Sequence, residues 1–226
     1  MNAARRLALF DLDGTLIDSE AGIVNSIEYA LEKLGAPSPP RAELRGWIGP
    51  PLRATFPRVL GDDHAAVEQA VAFYRERFSA IGWREHTVYA GVGDVIEALA
   101  ARGDRLAVVT TKPDLYAERI VRSLPFGALF ERVYAATPGS RDSEKAAMIA
   151  QALADFGTRP EDAAMVGDRH FDIDGARANG VRAIGVGWGF GSVDELEAAG
   201  AHAIAAAPAH LAGLLASSQP AVAASA

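Results

Sequence analysis

The stretch that most constrains the fold is residues 7–19, Leu-Ala-Leu-Phe-Asp-Leu-Asp-Gly-Thr-Leu-Ile-Asp-Ser. A short apolar run ends there in two carboxylates, Asp11 and Asp13, and a glycine follows at once. Four to eight apolar residues bounded by a glycine are typical of a buried strand in a parallel sheet. Ligands of such sheets bind beyond the carboxyl ends of the strands, so the pattern predicts a site at these aspartates.

The two aspartate side chains are expected on the same side of the chain, because strand side chains alternate. Two carboxylates this close repel each other unless a hard cation lies between them, and the pair therefore indicates a metal site. The alternative is a turn in which Asp13 bonds only its own backbone. Polar residues further along the chain favour the metal site.

Size and composition exclude several classes of protein. The 226 residues fit one large domain, or one domain with an insertion, and 50% of them are hydrophobic. The absence of cysteine excludes disulfides and thiolate metal sites and suits a cytoplasmic protein. Acids and bases are interspersed at a net charge of −7, which predicts no nucleic-acid partner. The apolar runs are too short for a membrane span, and because the first strand begins so early we expect no signal peptide.

The order of the predicted elements indicates an α/β fold, a doubly wound parallel sheet with a Rossmann-like core and an inserted α-helical cap. Ser19 is the predicted cap of the first helix, and no strand is predicted between residues 20 and 86. Helical patterns in that region cover 19–35, 41–47, 52–60 and 64–82. After residue 90 helices alternate with strands, which are predicted at 105–109, 133–135, 163–166, 182–186 and 203–205.

These patterns predict how the chain is divided. We expect residues 1–17 and 87–216 to form the catalytic core and residues 18–86 to form the helical cap. Residues 217–226 lack any packing pattern and are expected to be disordered.

Polar residues follow three of the predicted strands. Asp11 and Asp13 follow the first, Thr110 the second, and Asp168 the fourth, with Asp172 four residues later. A buried packing role does not explain Asp168 directly after an apolar strand, whereas Asp172 alone would equally be an ordinary acid at a helix start. Converging carboxylates need compensation, and ligation by oxygen alone suits Mg²⁺.

These residues resemble the motifs of the haloacid-dehalogenase-like hydrolase superfamily, and the resemblance runs through almost the whole chain. The motifs are Asp-x-Asp-Gly-Thr, a threonine after the second strand, a lysine at a helix start, and Gly-Asp with an acid four residues later. They stand at 11–15, Thr110, Lys145, and Gly167-Asp168 with Asp172. Three further stretches are similar to the phosphoglycolate-phosphatase-like branch, namely 48–52, 108–113 and 187–192.

The resemblance implies a Mg²⁺-dependent phosphatase that works through an aspartyl-phosphate intermediate. Asp11 would attack phosphorus, and Asp13 would protonate the leaving oxygen and later activate water. Asp11, Asp168 and the backbone carbonyl of Asp13 would hold the metal. Thr110 would bind phosphoryl oxygens, and Lys145 would neutralise the nucleophile and the phosphate, unless it is only a solvated lysine at a helix start.

Gly167 and Asp172 are expected to support this site without touching the substrate. Thr111 and Lys112 are candidate substrate contacts, although Lys112 equally fits a surface residue of a turn. The loop at 187–191 lacks the spacing of a dinucleotide fingerprint and is expected beside the site.

The helical insertion is the segment expected to select the substrate. Arg45, Trp47 and Arg53 are its candidate substrate contacts. The alternative is that Trp47 belongs to the core of the cap and that the two arginines are solvated.

The indicated function is hydrolysis of a small phosphomonoester metabolite similar to phosphoglycolate. The alternatives are a 5′-nucleotidase, a sugar-phosphate phosphatase or mutase, and a non-catalytic binding protein on the same fold. A dehalogenase or phosphonate hydrolase is disfavoured, because Asp13 supplies an acid/base that those chemistries omit. We expect a cytoplasmic monomer or homodimer with no nucleic-acid or membrane partner.

Overall fold

The computed structural model describes residues 5–137 and 144–216, and the chain divides into two compact units. Of the described residues, those up to Leu16 and those from Tyr89 onwards form the core unit, and Ile17–Val88 form the helical unit. Residues 17, 87 and 88, which we assigned to the core, lie in the helical unit. The tail 217–226, for which we predicted disorder, lies outside the described residues.

The strands and helices alternate along most of the core unit. The strands of the described residues are β1 (Leu7–Phe10), β2 (Ile17–Asp18), β3 (Thr87–Val88), β4 (Arg105–Pro113), β5 (Arg132–Ala136), β6 (Ala163–Gly167), β7 (Arg182–Val186) and β8 (Ala203–Ala205). The α-helices are α1 (Glu20–Lys33), α2 (Arg41–Arg45), α3 (Leu52–Thr55), α4 (Pro57–Leu60), α5 (His64–Ala80), α6 (Val92–Arg102), α7 (Asp114–Ser123), α8 (Lys145–Phe156), α9 (His170–Ala178), α10 (Val193–Ala198) and α11 (Leu211–Ala216).

The core unit is built on a six-stranded sheet in the order β5-β4-β1-β6-β7-β8, with every neighbouring pair parallel. The chain runs from β1 outward to β5 on one side, then returns to β6 on the other side. Such a reversal opens a crevice at the carboxyl ends of the strands, where ligands bind. The predicted α/β fold with a Rossmann-like parallel sheet is therefore confirmed, and β1 and β6 flank the reversal, with β4 next to β1.

The two central strands, β1 and β6, are apolar throughout, as expected for a parallel sheet covered by helices. Leu9 of β1 and Met165 of β6 lie in one fully buried cluster with Ile149 of α8 and Ile173 of α9. Burying a side chain of this size contributes about 1.5–3 kcal/mol, so this cluster stabilises the packing of α8 and α9 against β1 and β6.

Three local details of the fold differ from the sequence-based predictions. Strand β4 continues to Pro113, so Thr110 and Lys112 lie within it, and its register against β5 shifts between Thr110 and Pro113. The antiparallel pair of β2 and β3 was not predicted, because two residues per strand are too few for a periodic pattern. The Ser19 hydroxyl makes no capping hydrogen bond; instead the Asp18 carboxylate accepts from the N–H of Glu20 at 3.0 Å.

The helical unit is stabilised by packing of α1 against α5 and by a partly buried ion pair between Arg77 and Glu85. Asp63 caps α5 by accepting from the N–H groups of Ala65 and Ala66, each at 3.0 Å. The Arg77 guanidinium donates to both carboxylate oxygens of Glu85, at 2.7 and 3.0 Å.

Among the helices that the structure describes, none has the length and apolarity needed to cross a bilayer.

Candidate active site

The end of β1 places the first aspartate at the carboxyl edge of the sheet. The N–H of Asp11 donates to the carbonyl of Val166 in β6 at 2.9 Å, so sheet pairing continues one residue past β1. Asp11 is 8% exposed, and Asp13 is half-buried. Gly14 has φ of 83°, and a Cβ there would lie 2.2 Å from Oδ2 of Asp168. Both the conformation and the space therefore require glycine at this turn.

Asp168, which follows β6 directly, lies at the same edge of the sheet. Asp168 is completely buried; its Oδ2 accepts from the N–H of Phe190 at 2.8 Å, and its Oδ1 accepts from the Thr15 hydroxyl at 3.4 Å. Asp172 follows in the first turn of α9, where its Oδ2 accepts from the N–H of Arg169 at 3.1 Å. A Cβ on Gly167 would lie 2.1 Å from Cγ of Asp172, so the glycine lets this acid approach the strand.

Lys145, the first residue of α8, connects these acids. Its Nζ donates to Oδ1 of Asp11 and to the carbonyl of Val109, each at 2.7 Å, and lies 2.7 Å from Oδ1 of Asp172. The lysine is only 6% exposed, so it is not a solvated lysine at a helix start. Asp172 likewise does more than begin a helix, because one oxygen caps α9 and the other faces Lys145.

Burial and charge shift the pKa values of the groups in this cluster. Burial raises the pKa of Asp11 to about 6 against the opposing effect of Lys145, and burial raises that of Asp168 to about 8, helped by Asp11 and Asp172. Burial alone would lower the pKa of Lys145, but the charges of Asp11 and Asp172 outweigh it and raise that pKa above its ordinary value. The site thus holds more negative charge than one lysine compensates.

The arrangement offers a set of oxygen donors to a cation. Asp11, Asp168 and Asp172 each place a carboxylate oxygen within 4.8 Å of the others, and all three residues are buried. Of the predicted metal-binding residues, Asp11 and Asp168 therefore lie together. The Asp13 carboxylate instead faces Lys112.

The predicted residues of β4 differ in their surroundings. Thr110 is 1% exposed, and its hydroxyl oxygen accepts from the N–H of Lys112 at 3.2 Å. Thr111 is exposed. Lys112 is 8% exposed, and its Nζ donates to both carboxylate oxygens of Asp13, at 2.9 and 2.8 Å. Lys112 is therefore not a surface residue of a turn.

The loop at 187–191 surrounds Asp168, a role that the sequence analysis did not assign to any of its residues. A Cβ on Gly189 would lie 2.3 Å from Cβ of Asp168, and one on Gly191 would lie 2.0 Å from the Asp168 carbonyl oxygen. Trp188 donates from Nε1 to the carbonyl of Thr15 at 3.2 Å. The signal available in the sequence was a glycine at every second position of the loop.

The three candidate substrate residues of the helical unit have partners or packing of their own. Arg45 lies 3.3 Å from Glu20, and Arg53 donates from Nη2 to Glu68 at 2.8 Å. Trp47 is 1% exposed and packs edge-to-face on Phe56, with ring centroids 6.1 Å apart. In this conformation Trp47 is a packing residue, and the roles of the three residues in substrate binding stay predictions.

The chain matches known proteins over most of its length. The model of the haloacid dehalogenase-like hydrolase family matches residues 8–186. A 5′-nucleotidase from Pseudomonas aeruginosa is 43% identical over 84% of this chain and 86% of the relative. A phosphoglycolate phosphatase from Pseudomonas putida is 30% identical over 82% of this chain and 70% of the relative.

Two further similarities extend the comparison. The tyrosine-protein kinase PtkA of Mycobacterium tuberculosis is 42% identical over 85% of this chain, which spans 65% of the kinase's length. The solved structure of a hydrolase of the haloacid dehalogenase-like family from Streptococcus pneumoniae superposes with a TM-score of 0.87 at 34% identity, over 93% of this chain and 98% of that chain. The chain belongs to the haloacid dehalogenase-like hydrolase family, and it is an enzyme of that family's phosphatase type.

Proposed function

We propose that this enzyme is a Mg²⁺-dependent phosphatase that hydrolyses a small phosphomonoester through an aspartyl-phosphate formed on Asp11. The observation that carries the proposal is the buried contact of Asp11 with Lys145, beside Asp168 and Asp172, where β1, β4 and β6 end. The cluster therefore contains a nucleophile, a fixed ammonium group and a set of metal ligands. Phosphoryl transfer requires these parts.

The composition of the cluster supports Mg²⁺ as the cofactor. Its donors are all carboxylate oxygens, which suit a hard cation. The raised pKa values of Asp11 and Asp168, caused first by burial, indicate that the protein groups alone do not fully compensate these acids. We propose that Asp11, Asp168 and the backbone carbonyl of Asp13 hold the ion. Bound Mg²⁺ would neutralise phosphate charge and screen it from the carboxylates.

The protein groups then account for the two chemical steps. Lys145 holds Oδ1 of Asp11, which orients the carboxylate for in-line attack on phosphorus. As the new oxygen–phosphorus bond forms and the bond to the leaving oxygen breaks, Asp13 delivers a proton to that oxygen. Asp13 then takes a proton from a water molecule, which attacks phosphorus and regenerates the Asp11 carboxylate as inorganic phosphate leaves.

Thr110 is the protein group proposed to bind the phosphoryl oxygens. Its hydroxyl oxygen already accepts from the N–H of Lys112, so the hydroxyl hydrogen is left to donate to another group. A preorganised donor of this kind stabilises charge that develops on the phosphoryl oxygens during transfer.

Two substrate classes have specific support. The relative named phosphoglycolate phosphatase and the stretches noted in the sequence favour a small acid phosphate, and the relative named 5′-nucleotidase favours a nucleoside monophosphate. We propose that the helical unit makes the choice between them. The groups of the core cluster recognise only the phosphoryl group and cannot make this distinction.

The test is a screen of phosphoglycolate, nucleoside monophosphates, sugar phosphates and an aryl phosphate, each with Mg²⁺ and with chelator. We expect Mg²⁺-dependent release of phosphate from the aryl phosphate and preferential release from one metabolite class. Asp11→Asn should abolish turnover without unfolding the protein, whereas Asp94→Asn, a change of an exposed acid on α6, should not alter the rate.

The intermediate is tested separately by acid quench with labelled substrate. Label should be trapped on wild type and on Asp13→Asn, and none on Asp11→Asn. Turnover by Asp11→Asn above a few per cent of wild type would contradict the covalent mechanism. Transfer of phosphate from ATP to a tyrosine peptide, with no hydrolysis of any monoester, would instead favour the activity named for the mycobacterial relative.

A further inference from the structure

The geometry points to Lys112 as a positioning residue for catalysis, one that orients the Asp13 carboxylate for both of its proton transfers. This inference rests on the proposed function of Asp13 as acid and base. From the sequence, Lys112 was expected to be either a substrate contact or a surface residue of a turn. The contacts in the structure support a different role.

The first observation is how Lys112 binds its partner. Its Nζ donates to both oxygens of Asp13, at 2.9 and 2.8 Å. Hydrogen bonds between an ammonium group and a carboxylate are charge-assisted, and they are stronger than those between neutral groups. Two such bonds from one ammonium group fix the position of the Asp13 carboxylate relative to β4.

The second observation is that the pair is largely removed from water. The Lys112 side chain is 6% exposed and that of Asp13 is 16% exposed. Ion pairs on the surface contribute little, because water and salt screen them and both side chains remain mobile. A pair this buried interacts strongly, and loss of one partner leaves the other charge poorly compensated.

The third observation concerns the backbone that carries the lysine. The N–H of Lys112 donates to the Thr110 hydroxyl at 3.2 Å, within the part of β4 where pairing with β5 shifts register. An irregularity of this kind re-aims side chains near active sites. The same segment therefore carries both the proposed phosphoryl donor and the lysine that binds the acid/base.

Each of the two buried lysines contacts a different one of the two aspartates. Lys145 contacts Asp11, the proposed nucleophile, and Lys112 contacts Asp13, the proposed acid/base. The remaining lysine of the chain, Lys33, is exposed in the last turn of α1. Each aspartate thus has an ammonium group that restricts its orientation, as expected where small misplacements cost large factors in rate.

The experiment is a double-mutant cycle of Lys112→Met and Asp13→Asn. Hydrolysis of the trapped aspartyl-phosphate is measured in single turnover, and kcat and KM are measured for an aryl phosphate and for phosphoglycolate. If Lys112 acts through Asp13, Lys112→Met should slow hydrolysis of the intermediate by about 10–100-fold, part of the effect of a general base. KM should change less than twofold, and Lys112→Met should have no further effect in the Asp13→Asn background.

Further variants keep the test decisive. Lys112→Arg, which also presents two donors, should recover part of the lost rate, whereas Lys33→Met should behave as wild type. If Lys112→Met does not fold, as judged by circular dichroism, Lys112→Gln replaces it in the same cycle. An equal loss of rate in the wild-type and Asp13→Asn backgrounds, or a rise in KM with kcat unchanged, would show that Lys112 contacts the substrate and would overturn the inference.

Failure of this inference is distinct from failure of the proposed function. If the wild-type enzyme releases phosphate with Mg²⁺ but the effects of the two substitutions are additive, the phosphatase mechanism stands and only the role of Lys112 is rejected. If the wild-type enzyme hydrolyses no phosphate ester, the proposed function and the role of Lys112 are both rejected.

Discussion

Lys145 and Asp11 form an ion pair across 134 positions of sequence, with Nζ 2.7 Å from Oδ1 and both side chains almost entirely buried. The same ammonium group lies 2.7 Å from Oδ1 of Asp172. One cation therefore compensates two buried carboxylates, and a third, on Asp168, lies within the same cluster. Both the stability and the metal response of the protein should depend on this balance of charge.

Loss of this lysine should destabilise the core unit. Lys145→Met leaves Asp11 and Asp172 buried without their cation, which costs about 3–5 kcal/mol in comparable sites. Urea unfolding in the absence of Mg²⁺ measures the loss, with Lys33→Met as the matched exposed control that should change stability by less than about 0.5 kcal/mol. A Lys145→Met protein as stable as wild type would mean that the carboxylates are compensated by other groups.

Binding of Mg²⁺ should stabilise the folded protein. A ligand that binds only the native state adds about 2.7 kcal/mol at a concentration one hundred times its Kd. Thermal unfolding should therefore show a Tm that rises with Mg²⁺ in wild type and does not rise in Asp168→Asn. Chelator should reverse the shift and abolish phosphatase activity. An equal shift in wild type and in the variant would exclude Asp168 as a ligand.

Substitution of one glycine in the loop around Asp168 should weaken Mg²⁺ binding, whereas substitution of another glycine there should not. In Gly189→Ala the new Cβ would lie 2.3 Å from Cβ of Asp168, so the loop or the carboxylate must move. In Gly187→Ala the nearest atom is 3.7 Å away, an ordinary contact. Titration of the Tm shift with Mg²⁺ should give a Kd at least tenfold weaker for Gly189→Ala and unchanged for Gly187→Ala. Equal affinities would show that the loop does not position this ligand.

Stability of the helical unit should depend on pH through Glu85. The hydrogen bond from Arg77 holds the pKa of Glu85 below its ordinary value of 4.5. A lowered folded-state pKa contributes stability above the ordinary value, and that stability is lost as pH falls through the lowered pKa.

Glu85→Gln should therefore be less stable than wild type by about 1 kcal/mol at pH 7, a value reduced for the partial exposure of the pair. The difference should shrink steadily once the pH falls below 4.5. Urea unfolding over this range measures it, with Glu32→Gln on the exposed surface of α1 as the control. A difference that does not vary with pH would contradict the assigned cause.

Selectivity should change when exposed arginines of the helical unit are removed. Arg45→Ala and Arg53→Ala should lower kcat/KM unequally for phosphoglycolate and nucleoside monophosphates, and should lower it least for a small aryl phosphate. Arg58→Ala, another exposed arginine of this unit, is the matched control. If kcat/KM fell by the same factor for all substrates, selectivity would lie in the core unit.

Trp47→Ala should instead lower the stability of the helical unit by about 3–5 kcal/mol, because the ring is buried.

Local patterns in the sequence were sufficient to predict the strand ends that carry chemistry. The apolar run before Asp11 and the run before Asp168 each predict a buried strand from consecutive residues, and both strands lie in the sheet. Because parallel strands end at one edge, the convergence of these two acids follows from the strand assignment alone. The bounds of β7 and β8 were also predicted without error.

The identity of each partner was decided only by the tertiary structure. Lys112 was predicted as a substrate contact or a surface residue, yet it binds Asp13 from 99 positions away. Thr15 and the loop at 187–191 reach Asp168 across 153 and about 20 positions. Such pairings depend on strand order, on the register shift in β4 and on the close approach that glycines permit. Periodicity encodes which face of an element is buried, but the atoms that meet there are determined by how separate elements pack.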